Sequence, residues 1–167
     1  MLFAINLILS ARFRFIENLF QGLNRVYIIH HLIGAYAFIL LLFHPVFLGL
    51  QYLPVSVLLV ARFFLPAFAD YAVWFGIIGL AILIVLLVIT FYISFPYDTW
   101  KATHKLLGAS FFFAAMHGFF IQSTVSSNMF LRWYIVGFSV IGLIAYVYKT
   151  LLGNFFLKKY EYQVVSH

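Results

Sequence analysis

Residues 25–49 read RVYIIHHLIGAYAFILLLFHPVFLG, an apolar run long enough to lie across a bilayer that nevertheless carries His30, His31 and His44. Ionisable groups at that depth are rare and face a bundle interior or a cavity, so these histidines need a purpose. On an α-helix His30 and His44 lie about 21 Å apart along the axis and about 40° apart around it, which places one imidazole near each membrane surface on a single helix face. Spacing alone leaves the first member of the pair open between His30 and His31. The near-whole number of turns between His30 and His44 favours His30.

A second stretch repeats the arrangement. Residues 100–120 read WKATHKLLGASFFFAAMHGFF, with His104 and His117 thirteen residues apart. Two helices running in the same direction with histidines at matching depths bring His30 opposite His104 and His44 opposite His117. Neutral imidazoles facing one another across a bundle core suit an iron porphyrin, which takes one axial ligand from each side and buries its ring between helices. The expectation is an all-α integral membrane protein, a haem-binding transmembrane helix bundle with two bis-histidine b-type haems. A single transmembrane histidine is as readily a polar group bonded to a neighbouring helix, but four at paired spacing shift that balance. On an ideal helix the directions of His104 and His117 differ by about 140°, which calls for a local irregularity or for haems rotated against each other.

Composition agrees with a membrane. Of 167 residues, 66% are hydrophobic, 22% aromatic and only 8% charged, outside the range of water-soluble domains. Cysteine is absent, which removes a disulfide framework and thiolate ligation of zinc or iron–sulfur clusters and leaves histidine as the main ligand for iron. The net charge of +6 is explained by basic residues at the cytoplasmic ends of membrane helices, and nucleic acid is not an expected partner. Arg12, Arg14, Arg25, Lys101, Lys105, Lys149, Lys158 and Lys159 fall on one side and only Arg62 and Arg132 on the other. That bias puts the larger group, with His30 and His104, in the cytoplasmic half, and the lipid bilayer around the chain.

Along the chain, residues 1–10 supply about half of the roughly 20 residues a span needs, so the first span reads as shortened. Residues 11–24 place Ile16, Leu19, Phe20 and Leu23 on one face, as an interfacial helix or a plain connection. Residues 51–70, interrupted by Pro54, Arg62 and Pro66, read as a bent outer segment. Residues 71–94 read as an uncharged span. At 95–98 Pro96 is expected to end one helix and Asp98 to cap the next. Residues 121–128 read as an exposed loop, and 133–152 as a last helix closed by Gly153. The alternating YEYQVV after Lys159 reads as a strand.

The segments ARFRFIENLF before NRVYIIH, the thirteen residues between His30 and His44, and THKLLG followed by the run to His117 together resemble the ferric reductase-like transmembrane domain shared by NADPH oxidases and metalloreductases, especially the bacterial NADPH oxidases. The resemblance implies that residues 1–159 form that domain in a bacterial plasma membrane. It implies two haem b groups on His30 with His104 and on His44 with His117, and a cytoplasmic C-terminus at which residues 160–167 begin a flavin domain. FAD and NADPH would then sit in a dehydrogenase domain or subunit outside this sequence, and the chain would be either a shortened one or a subunit served by a separate reductase. The function implied is transmembrane electron transfer to oxygen, giving superoxide. Alternatives are a ferric reductase with a ferric chelate as acceptor, and a haem subunit feeding a separate periplasmic enzyme, similar to the quinol-linked subunit of methionine sulfoxide reductase systems. Arg62 and Arg132 are the candidate catalytic residues, because a cation on the outer side stabilises negative charge developing on oxygen or holds an anionic chelate. Phe111, Phe112 and Phe113 read as core packing between the haem depths, and Lys101 and Lys105 as partners of haem propionates or as snorkelling interface residues.

Overall fold

In a computed structural model, residues 1–65, 67 and 70–152 are described, and they are helical with no strand among them. The helices are α1 (Leu2–Ser10), α2 (Arg14–Leu19), α3 (Leu23–Tyr52), α4 (Val57–Phe64), α5 (Tyr71–Tyr92), α6 (Tyr97–Lys105), α7 (Leu107–Phe120), α8 (Thr124–Ser127) and α9 (Met129–Val147), the last continuing into a π-helical turn at Tyr148–Leu152. Among the described residues α3, α5 and Met129–Thr150 are each long and apolar enough to cross a membrane. The expected helix stop at Gly153, the proline break at Pro66, and the strand and flavin-domain start at residues 160–167 lie outside the described residues.

Packing follows small residues. α5 lies against α7 where Gly79 meets the backbone of α7: a Cβ on Gly79 would come 3.1 Å from the Ala114 nitrogen and 3.2 Å from the Ser110 carbonyl oxygen. The buried Ser110 hydroxyl donates to the Gly79 carbonyl at 2.7 Å, so the polar group of one helix is satisfied by the backbone of the other. Gly142 of α9 gives Ala4 of α1 the same access, with a Cβ position 3.0 Å from the alanine methyl. Ala4, Leu7 and Phe111 form a buried cluster there, and Phe3 meets Phe111 edge-on at 5.1 Å. Phe111 is thus core, whereas Phe112 is exposed and Phe113 packs on Phe75. α3 is held by α1, α2 and α4. A second cluster of Leu9, Ile16 and Val26 joins α1, α2 and α3, and Gly49 of α3 seats the Phe64 ring of α4.

Several local expectations are corrected. The 11–24 segment contains only a six-residue helix, in which Ile16 is buried while Leu19 is 72% exposed. Arg12 and Gln21 at positive φ, with Gly22 behind Gln21, turn the chain sharply at both ends, so Ile16 enters the core with Phe13 and Phe20 packed beside it while Leu19 faces outward. Pro96 occupies the N-cap of α6, and Asp98 lies in its first turn without a side-chain cap bond, where a carboxylate still favours the positive helix end. The 121–128 segment holds a single helical turn, because Ser123 and Ser126 form a reciprocal capping box. α9 begins at Met129, ahead of the expected Trp133, because the Asn128 side chain accepts the Leu131 N–H at 3.0 Å and caps it there.

The basic residues gather at one end of the bundle, where Lys149 is within electrostatic reach of Arg12, Lys101 and Lys105. The Arg12 guanidinium donates to the Tyr27 hydroxyl and lies over its ring.

Replacing Gly79 by Val should separate α5 from α7 and lower the thermal midpoint in detergent by several degrees. Gly137→Ala, where a Cβ meets nothing within 4 Å, should leave the midpoint unchanged or raise it, since alanine is the better helix former.

Candidate functional site

The 100–120 stretch is not one uniform helix. α6 ends at Lys105 and α7 begins at Leu107, with Leu106 between them still in right-handed helical conformation. The Leu106 N–H donates to the Thr103 carbonyl and the Ala109 N–H to the Leu106 carbonyl, both three residues back. Such 3₁₀ steps turn the chain by about 120° instead of about 100°, so those at Leu106 recover part of the offset between His104 and His117 and leave the rest to the relative rotation of the two sites. Of the two ways of reconciling a spacing of thirteen, a local irregularity is therefore present.

At the basic end, the rings of His30 and His104 face each other with centroids 6.4 Å apart and planes at 63°. α3 packs on α1, α2 and α4, not broadly on α6 or α7, so the two rings meet across a cleft. Nδ1 of His30 lies 3.1 Å from the Asn6 carbonyl oxygen of α1. A carbonyl can only accept, so Nδ1 carries the proton and Nε2 keeps its lone pair. His31 is exposed and its Nδ1 donates to Tyr27 of its own helix at 2.8 Å. Packing thus presents His30, not His31, to His104.

At the opposite end, Nδ1 of His117 donates to the Ala72 carbonyl of α5 at 2.8 Å, which again frees Nε2. Gly76 makes room for this, because a Cβ there would lie 2.8 Å from Nδ1 of His117. His44 is within electrostatic reach of His117 and is followed by Pro45 inside α3. Proline removes the N–H that would bond to the Leu41 carbonyl and loosens the helix where His44 is carried.

Arg132 stands at the start of α9 with its guanidinium 5.6 Å from the centre of the Phe119 ring, two residues from His117. It lines an open concavity of about 540 Å³ together with Phe119, Phe120 and Gln122. Arg62 is exposed on α4, which packs on α3, and no described contact joins it to Arg132.

The donors fit a haem. Among the described residues no three of His, Asp or Glu gather as a metal site, so a bare cation would lack ligands, whereas a porphyrin brings four of its own. Two metal–imidazole bonds of about 2 Å each, plus the distances from nitrogen to ring centre, fill a separation like that of His30 and His104. A ligating histidine commonly donates its other N–H to a carbonyl, as His30 and His117 do. Sequence reading named these histidines but not their supports. Asn6 and Ala72 act through backbone carbonyls, which any residue provides. Gly76 within WFGIIG was the one visible sign.

Residues 1–115 match the family described as ferric reductase like transmembrane component, a span that includes His30, His44 and His104 and ends two residues before His117. No curated protein matches the chain.

In protein labelled with ¹⁵N at histidine and placed in lipid, His30 and His117 should resonate as Nδ1–H tautomers. Gly76→Val should shift the His117 signals and leave those of His30 in place.

Proposed function

The chain belongs to the ferric reductase-like transmembrane family, and from that premise we propose that it carries electrons across the membrane through two haem b groups, one held by His30 with His104 and the other by His44 with His117. Family membership itself makes it an oxidoreductase component. The observation that carries the proposal is the His30–His104 pair: two uncharged donors from different helices face each other at 6.4 Å, and the proton of one is tied back to a carbonyl.

Haem supplies one-electron chemistry when bound. The chain's own residues do the rest. Nε2 of each histidine offers a lone pair. The Asn6 and Ala72 carbonyls hold the tautomer and ring direction of His30 and His117. The apolar helices exclude water. Two histidines of this chain would hold each haem, so the acceptor would be met by protein groups at the end away from the basic cluster. Arg132 is the better placed of the two candidate arginines, stacked on Phe119 near His117. Its charge stabilises superoxide as oxygen takes up one electron, or holds an anionic ferric chelate in the alternative reading. Arg62 remains a second candidate on α4.

The basic end faces the cytoplasm in this proposal, following the bias of lysine and arginine toward that side. Electrons enter there from NADPH through FAD in a dehydrogenase domain or subunit, and the bilayer in question is a bacterial plasma membrane. The residues are shared by oxidase and ferric reductase, and oxygen is the acceptor we favour.

Purified protein should bind two low-spin haems per chain. His104→Leu should remove the one at the basic end and His117→Leu the other; a limiting ratio of one haem in the unmutated protein would sink the proposal. Arg132→Ala should keep both haems and slow their reoxidation severalfold after chemical reduction. Unchanged rates with both oxygen and a ferric chelate, in Arg132→Ala and in Arg62→Ala, would remove arginine from the acceptor site.

A further inference from the structure

His104 differs from its counterparts in what holds it. Its Nδ1 is buried and has no hydrogen-bond partner among the described residues, whereas Nδ1 of His30 and of His117 is fixed by a carbonyl from another helix. The His104 ring instead lies against the indole of Trp100, with centroids 5.1 Å apart and planes only 17° from parallel. Trp100 is stacked in turn on Tyr97 at 6.0 Å and 26°, and the Lys101 ammonium lies 5.6 Å from the centre of the Tyr97 ring. Positions 97, 100, 101 and 104 fall on one side of α6, three and four residues apart, so the helix itself brings these side chains into register. The stack runs from the exposed Tyr97 through the half-buried Trp100 to the ring that faces His30.

We infer that Trp100 is the positioning residue for His104, setting by ring stacking the imidazole plane that a backbone carbonyl sets for His30 and His117. An imidazole without a hydrogen bond at Nδ1 is free to rotate about its Cβ–Cγ bond. A parallel indole face removes that freedom, because rotation of the imidazole would lose the stacking contact and drive its edge into the indole. Tyr97, with Lys101 over its own ring, backs the indole, so the plane is referred to α6 and not to a neighbouring helix. A consequence is that the ligand plane at the basic end moves with α6, on the near side of the Leu106 break, independently of α7. The inference rests on the haem reading above for its consequence in the loaded protein, but the stack itself exists without haem.

The test uses the full chain. In haem-free, ¹⁵N-histidine-labelled protein, the His104 ring protons should carry an indole ring-current shift that disappears in Trp100→Leu and is retained in part in Trp100→Phe. In the His117→Leu background, where only the His30–His104 site remains, haem titration should show Trp100→Leu weakening binding about tenfold, the lower end of what loss of a supporting partner costs a metal ligand. Trp100→Phe should stay within about threefold of the parent. In the loaded protein Trp100→Leu should broaden the low-spin electron paramagnetic resonance signal of that haem, as the ligand plane becomes heterogeneous. Equal weakening by Leu and Phe, or unchanged affinity and line shape in Trp100→Leu, would overturn the inference while leaving the two-haem function standing. If the unmutated protein bound no haem, that function would fail, and the ring-current shift would still decide whether Trp100 orients His104.

Discussion

A neutral imidazole in hydrocarbon has two demands that water would otherwise meet: one N–H to donate and one lone pair to use. Leaving a polar group unpaired at that depth costs several kcal/mol, so each histidine constrains the helices around it. His30 meets the first demand on the Asn6 carbonyl and His117 on the Ala72 carbonyl, each on a helix other than its own. Those two bonds tie α1 to α3 and α5 to α7, and they leave the lone pair on Nε2 of each ring. The second demand is one that the iron of a bound haem would answer under the proposed function.

Glycine makes these ties possible. At Gly76, Gly79 and Gly142 a Cβ would intrude on His117, on the α7 backbone and on Ala4 respectively. In a membrane there is no hydrophobic drive between helices, so close backbone approach through small residues is the main source of association. The same glycines that join α5 to α7 and α9 to α1 therefore also set the depth at which the histidines stand. The long apolar side chains exposed on α3 and α5, Ile28, Phe43 and Val85 among them, have lipid as their natural neighbour.

The two ends of the bundle are built differently. At the basic end the Trp100 ring of α6 lies against His104, and Arg12, Lys101, Lys105 and Lys149 from three parts of the chain converge. At the other end a carbonyl holds His117, and one arginine lies over a phenylalanine beside it. The two ends therefore differ in charge as well as in how their histidines are held.

Much of this was legible in the sequence because it depends on period and composition. The apolar runs, the fourteen residues from His30 to His44, and the clustering of basic residues are properties of helix geometry and of transfer into lipid, which act on each segment separately. These determined an all-α membrane bundle with histidines at two depths, and membership of the matched family agrees with it. Other features needed the chains to meet. The helix period already favoured His30 over His31, but which ring faces His104 is fixed by how α3 turns against α1, where the Asn6 carbonyl holds His30. The awkward spacing of His104 and His117 is eased only in part at Leu106, where i to i+3 bonds overwind the helix, and nothing in THKLLG marks that step. The supports of His30 and His117 are main-chain carbonyls, which carry no residue signature. Only the tertiary structure could choose them, because a backbone acceptor becomes specific through its position in space and not through the side chain attached to it.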